Sequence, residues 1–131
     1  MSDPDAEIRE AVDAIVSAFG EGRLDDYFAS FDPDCTFVFY TDERRLESVD
    51  EYRRLWDRWV REDGFEVLSC STSDTRIQRW NDTAVVTHSV HTNVRTHEGE
   101  EELDERETIV LRRGADGRWR GVHEHLSPAP S

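Results

Sequence analysis

The first part of the chain carries apolar residues at intervals of three and four positions, which is the period of an α-helix with one buried face. A first helix is predicted to begin at Asp3-Pro4 and to end at Gly20 and Gly22. The segment LDDYFASF, residues 24–31, predicts a shorter second helix that ends before Pro33. The apolar positions of the first helix are Ile8, Ala11, Val12, Ile15 and Phe19.

A third helix is predicted between Ser48 and Gly64. Ser48 and Glu51 form a capping box, a pattern that marks the beginning of a helix. The segment CTFVFY, residues 35–40, is rich in β-branched and aromatic residues and predicts a strand, with a brief partner strand near Leu46. The apolar stripe of the third helix consists of Tyr52, Leu55, Trp56, Trp59 and Val60.

From Phe65 onward the chain predicts strands that are separated by turns at Asn81-Asp82, HEGE and GADG. These strands are expected at residues 65–80, 83–96, 102–113 and 118–126. Helices followed by a run of antiparallel strands predict an α+β cone, with three helices packed on a curved, mainly antiparallel sheet of about six strands. Such a sheet leaves a concavity where ligand pockets commonly form. We expect one domain over residues 1–127 and a flexible tail at 128–131.

Charge excludes two classes of partner. The chain has 131 residues, 30 acidic residues and a formal net charge of −14, so nucleic acid and anionic membrane surfaces would be repelled. All 16 basic residues are arginines. An acidic surface without lysine is typical of proteins that work in multimolar salt, and we expect a halophilic acidic protein. The alternative is a charged mesophilic surface that reflects codon bias.

Two cysteines and the first residues of the chain bear on the compartment. Cys35 and Cys70 both lie in predicted strands without zinc-ligand spacing, so we expect reduced, buried thiols. Residues 1–12 lack the basic flank and apolar run of a signal peptide, and no stretch approaches the ~18 apolar residues that span a bilayer. We therefore expect a cytoplasmic protein. We also expect no cofactor and no metal.

Alternation along the long strands assigns their side chains to faces. In the strand at 83–96 the even positions are mainly apolar and should face the helices, together with His88. Four-residue hairpin loops would place Ile109 opposite both His88 and Val122, and the carboxyl groups of Glu107 and Glu124 side by side on that face.

That constellation predicts a candidate acid–base site. Two adjacent carboxyl groups in an apolar pocket cannot both ionise cheaply, so one pKa should rise. His88 lies diagonal to Glu107 and Glu124 and would hold or relay a proton. The alternatives are a pocket that binds without catalysis, using the same residues, and glutamates that face solvent. The expected aromatic walls are Tyr27, Phe31, Phe37, Phe39, Trp56 and Trp59, although Trp56 and Trp59 have the helical spacing typical of a core.

The order of elements, together with the segment ETIVLRRGADGRWRGVHEHLSPAP, resembles the SnoaL-like branch of the nuclear transport factor 2-like superfamily. This segment is more specifically similar to the association (hub) domain of calcium/calmodulin-dependent protein kinase II and its prokaryotic relatives. The residues that carry the resemblance are Glu107-Thr108, Val110, Arg113, Asp116-Gly117, Trp119, Val122-His123, His125, Ser127 and Ala129-Pro130.

The resemblance implies a cone with a pocket, usually a homodimer, and functions that range from isomerases, cyclases and dehydratases to non-catalytic assembly domains. The hub has pocket arginines where this chain has Val90, Ile109 and Leu126. These three positions are therefore expected to be apolar contacts with a ligand, and carboxylate binding of the hub type is not expected.

The last strand is expected to turn Trp119, His123 and His125 away from the pocket. In the superfamily this outer surface commonly pairs subunits, so these residues are predicted to form a homodimer interface. A metal site that combines the two histidines with His91 is a weaker alternative. The expected function is binding of a small hydrophobic metabolite, with metal-independent isomerase, cyclase or dehydratase chemistry as one possibility. The alternative is an oligomerisation module that resembles the kinase hub.

Overall fold

Three helices and five strands make up the protein, whose computed structural model describes residues 3–130. The helices are α1 (Pro4–Glu21), α2 (Leu24–Ala29) and α3 (Val49–Asp63). The strands are β1 (Phe31–Phe39), β2 (Glu66–Trp80), β3 (Thr83–Thr96), β4 (Gly99–Arg113) and β5 (Trp119–Pro128). The helices pack on one face of a curved, mainly antiparallel sheet, which confirms the predicted α+β class.

Local sequence signals set the helix ends. The Asp3 carboxylate accepts a hydrogen bond from the backbone N–H two residues later, and Gly22 ends α1 with φ of 73°. The Ser48 hydroxyl accepts from the N–H of Glu51 at 3.2 Å, which is one of the two bonds of a capping box. The Glu51 carboxylate accepts from the N–H of Glu47 at 2.7 Å rather than from that of Ser48. Gly64 ends α3 with φ of 67°, a left-handed conformation that glycine adopts without a steric penalty.

The sheet has the strand order β1-β5-β4-β3-β2, with β1 parallel to β5 and the other neighbours antiparallel. The strand expected near Leu46 is a single bridge to Phe37, so within residues 3–130 the sheet has five strands rather than six. β1 begins at Phe31, earlier than expected, and its pairing with β5 is irregular between Phe31 and Thr36. Pro33 lies in this irregular stretch, where its missing N–H removes no ladder bond.

The predicted hairpin register between β3 and β4 is wrong by two residues. The strands are joined by a two-residue turn, with Thr96 opposite Gly99, rather than by a four-residue loop. His88 therefore lies directly opposite Glu107, and Ile109 pairs with the residue two positions earlier in β3. Because side chains alternate with period two, this shift leaves each residue on its predicted face.

The register between β4 and β5 also differs, and here the difference moves the first residues of β5 to the other face. Ile109 pairs with Glu124, not with Val122, and the register slips by one residue beyond it. This bulge at Val122 turns Gly121 towards the helices, where an added Cβ would lie 2.6 Å from the Phe31 ring. Trp119 consequently lies on the inner face rather than on the outer face expected for it.

The core consists of two clusters that flank the pocket. The first is mainly aromatic and joins α2, α3 and β1, while the second is mainly aliphatic and joins α1 to β3, β4 and β5. The second cluster contains Trp119, which is only 7% exposed. Its other buried members are Ile8, Val12, Ala84, Val86, Ile109 and Leu111.

Both cysteines are free thiols, with Cys35 buried and Cys70 half-buried. Burial raises the pKa of both thiols, that of Cys70 to about 11. At the C-terminal end, Pro128 belongs to β5 and the Ala129 N–H donates to the Asp104 carbonyl, so regular structure enters the segment expected to be a tail. Ser131 lies outside the described residues. Within residues 3–130, no helix combines the length and apolar character needed to cross a membrane.

Candidate functional site

A cavity of about 430 Å³ lies between the helices and the inner face of the sheet. Its floor is formed by β3, β4 and β5, and its walls by α1, α3 and the end of β1. Most of the wall is aromatic, with three of the rings supplied by α3 and the others by α1, α2, the end of β1 and the segment after α3. The aromatic lining residues are Phe19, Tyr27, Phe39, Tyr40, Tyr52, Trp56, Trp59 and Phe65.

Glu124 places a carboxyl group on this otherwise apolar floor. The residue is only 2% exposed. Burial raises its pKa well above the usual range, and the neighbouring carboxyl group of Glu107 raises it further through its charge and a hydrogen bond. The two glutamates are diagonal neighbours on β4 and β5, since Glu107 pairs with Leu126 and Glu124 with Ile109. The predicted carboxyl pair therefore exists, although the residues are not directly opposite.

His88 on β3 forms a hydrogen bond with the carboxyl group of Glu107 on β4. Its Nε2 lies 2.7 Å from Glu107 Oε1, and its side chain is fully buried. Among the described residues, His88 Nδ1 has no hydrogen-bond partner. A proton on Nε2 gives the carboxylate a donor and leaves only a lone pair at Nδ1, whereas a proton on Nδ1 would bury an unpaired donor. The geometry thus assigns the Nε2–H tautomer to His88, with Glu107 as acceptor.

Glu105 is a third inner-face carboxyl group, and it was not among the site residues predicted from the sequence. It is 6% exposed and accepts a hydrogen bond from the Tyr40 hydroxyl at 2.6 Å. Burial raises the pKa of Glu105, while the bond from Tyr40 opposes that shift. The sequence did offer a signal for Glu105, because residues two positions apart on a strand share a face and Glu107 was assigned to the inner face. Tyr40 follows β1, and nothing in the sequence pattern pointed to it.

Two buried tyrosines join the helices above the floor. The hydroxyl groups of Tyr27 on α2 and Tyr52 on α3 lie 2.9 Å apart, so one donates to the other. Burial raises the pKa of both phenols, and the charge of Glu124 contributes to each shift. Tyr52 was assigned only to the apolar stripe of α3, whereas it also lines the pocket.

The structure brings most of the predicted site residues together. Glu107 and Glu124 line the pocket, and His88 lies behind Glu107 without lining it. Phe37 and Ile109, predicted as ligand contacts, are fully buried in the core and do not line the pocket. The predicted ligand contacts that do line it are Tyr27, Phe39, Trp56, Trp59, Val90 and Leu126.

His123 and His125 lie on the outer face of β5, as expected. His123 Nδ1 lies 2.7 Å from the Thr36 hydroxyl, and burial lowers the pKa of His123. His125 is exposed. On the same face, His91 contacts Asp104 at 2.8 Å instead of approaching the other histidines. No group of three or more metal-ligating side chains occurs within residues 3–130.

Helices that close a curved antiparallel sheet around an acidic, aromatic pocket place this protein in the nuclear transport factor 2-like class of folds. The family model for the SnoaL-like domain matches residues 8–131. The chain belongs to the SnoaL-like domain family.

Solved structures agree with this fold. A ketosteroid isomerase-like protein from Erwinia carotovora atroseptica is 17% identical, with a TM-score of 0.82 over 100% of both chains. The calcium/calmodulin-dependent protein kinase II hub of S. rosetta is 22% identical, with a TM-score of 0.79 over 98% of this chain and 99% of the hub. A putative association domain of the same kinase type from Xanthomonas campestris is 15% identical, with a TM-score of 0.79 over 99% and 91%. The search of curated proteins found no match.

Proposed function

We propose that the pocket binds a small, mainly hydrophobic molecule and holds its polar group at Glu107 and Glu124. The observation that carries this proposal is the carboxyl group of Glu124, buried among aromatic side chains with its pKa raised. Burying such a group is costly for folding, and groups perturbed in this way concentrate at functional sites. The cavity of about 430 Å³ lies within the usual size range of ligand pockets.

The two carboxyl groups are suited to different tasks. Glu124, whose pKa is raised by burial, would in its protonated form donate a hydrogen bond to a carbonyl oxygen of the ligand. Glu107, oriented by His88, would accept a proton from the carbon next to that carbonyl. This division supports metal-independent proton transfer of the isomerase, cyclase or dehydratase type as the chemistry of the site.

A neutral fluorescent probe tests the binding proposal. N-phenylnaphthylamine should gain fluorescence when the protein is added, because the pocket excludes water from it. Trp56→Ala should weaken this binding about tenfold or more, since Trp56 supplies a large part of the wall. Trp80→Ala is the matched control, because Trp80 is 59% exposed and does not line the pocket.

Equal effects of the two tryptophan substitutions would show that the probe binds elsewhere. No binding by the wild-type protein would remove the proposed function. Melting curves for both variants establish that each protein is folded under the conditions of the titration.

Self-assembly is a second candidate function, favoured by the similarity to two kinase hub domains over almost the entire chain. The proposed contact surface is the outer face of the sheet, including His123 and His125, which lie outside the pocket. Val110 pairs with His123 on this face and is half-buried. Light scattering tests the assembly: a dimer favours the ligand-binding role, and a ring of many subunits favours the hub role. Val110→Arg should dissociate either assembly.

A further proposal concerns the cellular setting. The acidic composition without lysine supports function at high salt. Dialysis to low salt should unfold the protein, because carboxylate repulsion is then no longer screened. Unchanged circular dichroism after dialysis would contradict the proposal of adaptation to salt.

A further inference from the structure

All charged side chains that line the pocket have the same sign. Across residues 3–130, neither arginine nor histidine lines it, although the chain contains 16 arginines. The charged lining residues are Asp63, Glu101, Glu105, Glu107 and Glu124. The pocket is therefore acidic and aromatic at once, and this combination restricts the charge of a ligand.

We propose that the pocket selects an organic cation, a hydrophobic amine or quaternary ammonium compound, over neutral and anionic molecules of the same shape. This inference rests on the proposed function and adds the class of ligand to it. An anion would enter a poorly solvated space that already contains several carboxyl groups, and no lining side chain would neutralise it. A cation instead gains attraction from the same carboxyl groups that otherwise make the pocket costly.

The acidic groups occur at two depths. Asp63 and Glu101 are exposed, whereas Glu105 and Glu124 are buried and Glu107 is half-buried. The exposed pair would attract a cation at the mouth, and Glu105 and Glu107 would receive its charged end. An ammonium group carries donors and no acceptor, which matches carboxylate oxygens.

The aromatic wall supplies a second form of cation recognition. The rings of Trp56 and Phe65 have centroids 5.1 Å apart, and those of Trp59 and Phe65 are 5.4 Å apart. Tyr52 extends the same cluster, with its ring centroid 6.1 Å from that of Trp56. Faces of tryptophan and tyrosine rings attract cations through their negative quadrupole, most strongly where water is excluded. The opposite side of a bound cation would face the carboxyl groups on β4 and β5.

Matched probes test the inference by titration calorimetry. Phenethylamine, phenethyl alcohol and hydrocinnamate share one ring and a short chain but carry a positive, neutral and negative end. Trimethylphenylammonium adds a cation that cannot donate an N–H hydrogen bond. We expect the affinity for phenethylamine to be at least about tenfold higher than that for phenethyl alcohol. Hydrocinnamate should bind more weakly than either.

Matched variants separate the pocket from the general attraction of an acidic protein. Glu107→Gln should reduce the preference for amine over alcohol about tenfold, whereas Glu98→Gln, an exposed acid in the β3–β4 turn, should not change it. Glu101→Gln at the exposed mouth is a second pocket variant, and its position does not endanger folding. Titrations at high ionic strength remove long-range attraction but retain contacts inside the pocket. Competition between amine and alcohol tests whether both occupy one site.

The outcomes distinguish this inference from the proposed function. An alcohol or carboxylate that binds as tightly as the amine would overturn the cation preference and leave the hydrophobic pocket in place. An amine preference that Glu98→Gln lowers as much as Glu107→Gln does would also overturn it, because the attraction would then be general. Failure of every probe to bind would remove both the inference and the ligand-binding function.

Discussion

Replacing Glu124 with glutamine tests whether the buried carboxyl group costs stability when it ionises. Glu107 and Glu124 are diagonal cross-strand neighbours, a geometry that places their charges about 6 Å apart. At an effective dielectric constant of about 20, two such charges repel by about 3 kcal/mol. The amide of the substituted side chain would keep a donor for Glu107 without carrying a charge. We therefore expect Glu124→Gln to be more stable than the wild-type protein by about 3 kcal/mol or more at alkaline pH, because burial of the ionised carboxyl group adds to this repulsion.

The sign of the pH dependence follows from the direction of the shift. The pKa of Glu124 is raised in the folded protein above the ordinary value of 4.5. At pH values between the ordinary pKa and the raised pKa of the folded protein, the folded state binds more protons than the unfolded state. The free energy of unfolding therefore falls as pH rises through this range. The limiting slope is about 1.4 kcal/mol per pH unit. The variant lacks this contribution, and the two proteins should converge below about pH 4.5.

Urea unfolding at a series of pH values provides the assay, with tryptophan fluorescence as the signal and ionic strength held constant. The informative quantity is the difference between the two free energies of unfolding, because the other carboxyl groups titrate in both proteins. Glu98→Gln is the control, since this exposed glutamate should give a curve parallel to that of the wild type. Parallel curves for Glu124→Gln as well would refute the reasoning and show that Glu124 ionises without cost.

Three further predictions concern packing and thiol reactivity. Ile109→Ala should lower the free energy of unfolding by about 2–5 kcal/mol in urea titrations, because Ile109 is fully buried and its removal leaves a cavity. Gly121→Ala should cost about 1–3 kcal/mol in the same assay, because the added methyl group collides with Phe31; an unchanged midpoint would contradict this close approach. Cys70 should react slowly with a chromogenic disulfide reagent at pH 8 and rapidly in urea, since burial raises its pKa to about 11. Equal rates in the folded and unfolded protein would contradict that prediction.

The helices were predictable because their signals are local. Ser48 and Glu51 cap α3, and Gly22 and Gly64 end the two longer helices through their own backbone conformations. The number and order of the long strands followed from turn residues and alternation, which are also local. Asn81 illustrates this: it has φ of 54° in the β2–β3 turn, a conformation that asparagine tolerates.

The register was not predictable, because the turn residues are compatible with more than one loop length and the bulge in β5 involves packing against the distant Phe31. The turn after Thr96 needs only two residues, although HEGE suggested four. That error did not change the predicted face of Glu107, since a shift of two residues keeps a side chain on the same face of the sheet. The bulge at Val122 did change the face of Trp119, since a slip of one residue moves a side chain to the opposite face. Gly121 was the available signal, because a glycine inside a strand often marks a bulge.

The difference between these two errors explains why Glu107 and Glu124 lie on their predicted face of the sheet, whereas Trp119 does not. Glu107 and Glu124 lie next to Ile109 in the paired strands, on the C-terminal side of the bulge in β5. On that side the alternation of inward and outward side chains follows the pattern predicted from the apolar residues. Trp119 lies beyond the bulge, where the same pattern fails. An inner-face assignment from alternation is therefore reliable only up to the first irregularity in the strand. His123 and His125 lie on the C-terminal side of the bulge, together with Glu124. The same regular alternation therefore directs the two histidines outward and Glu124 inward.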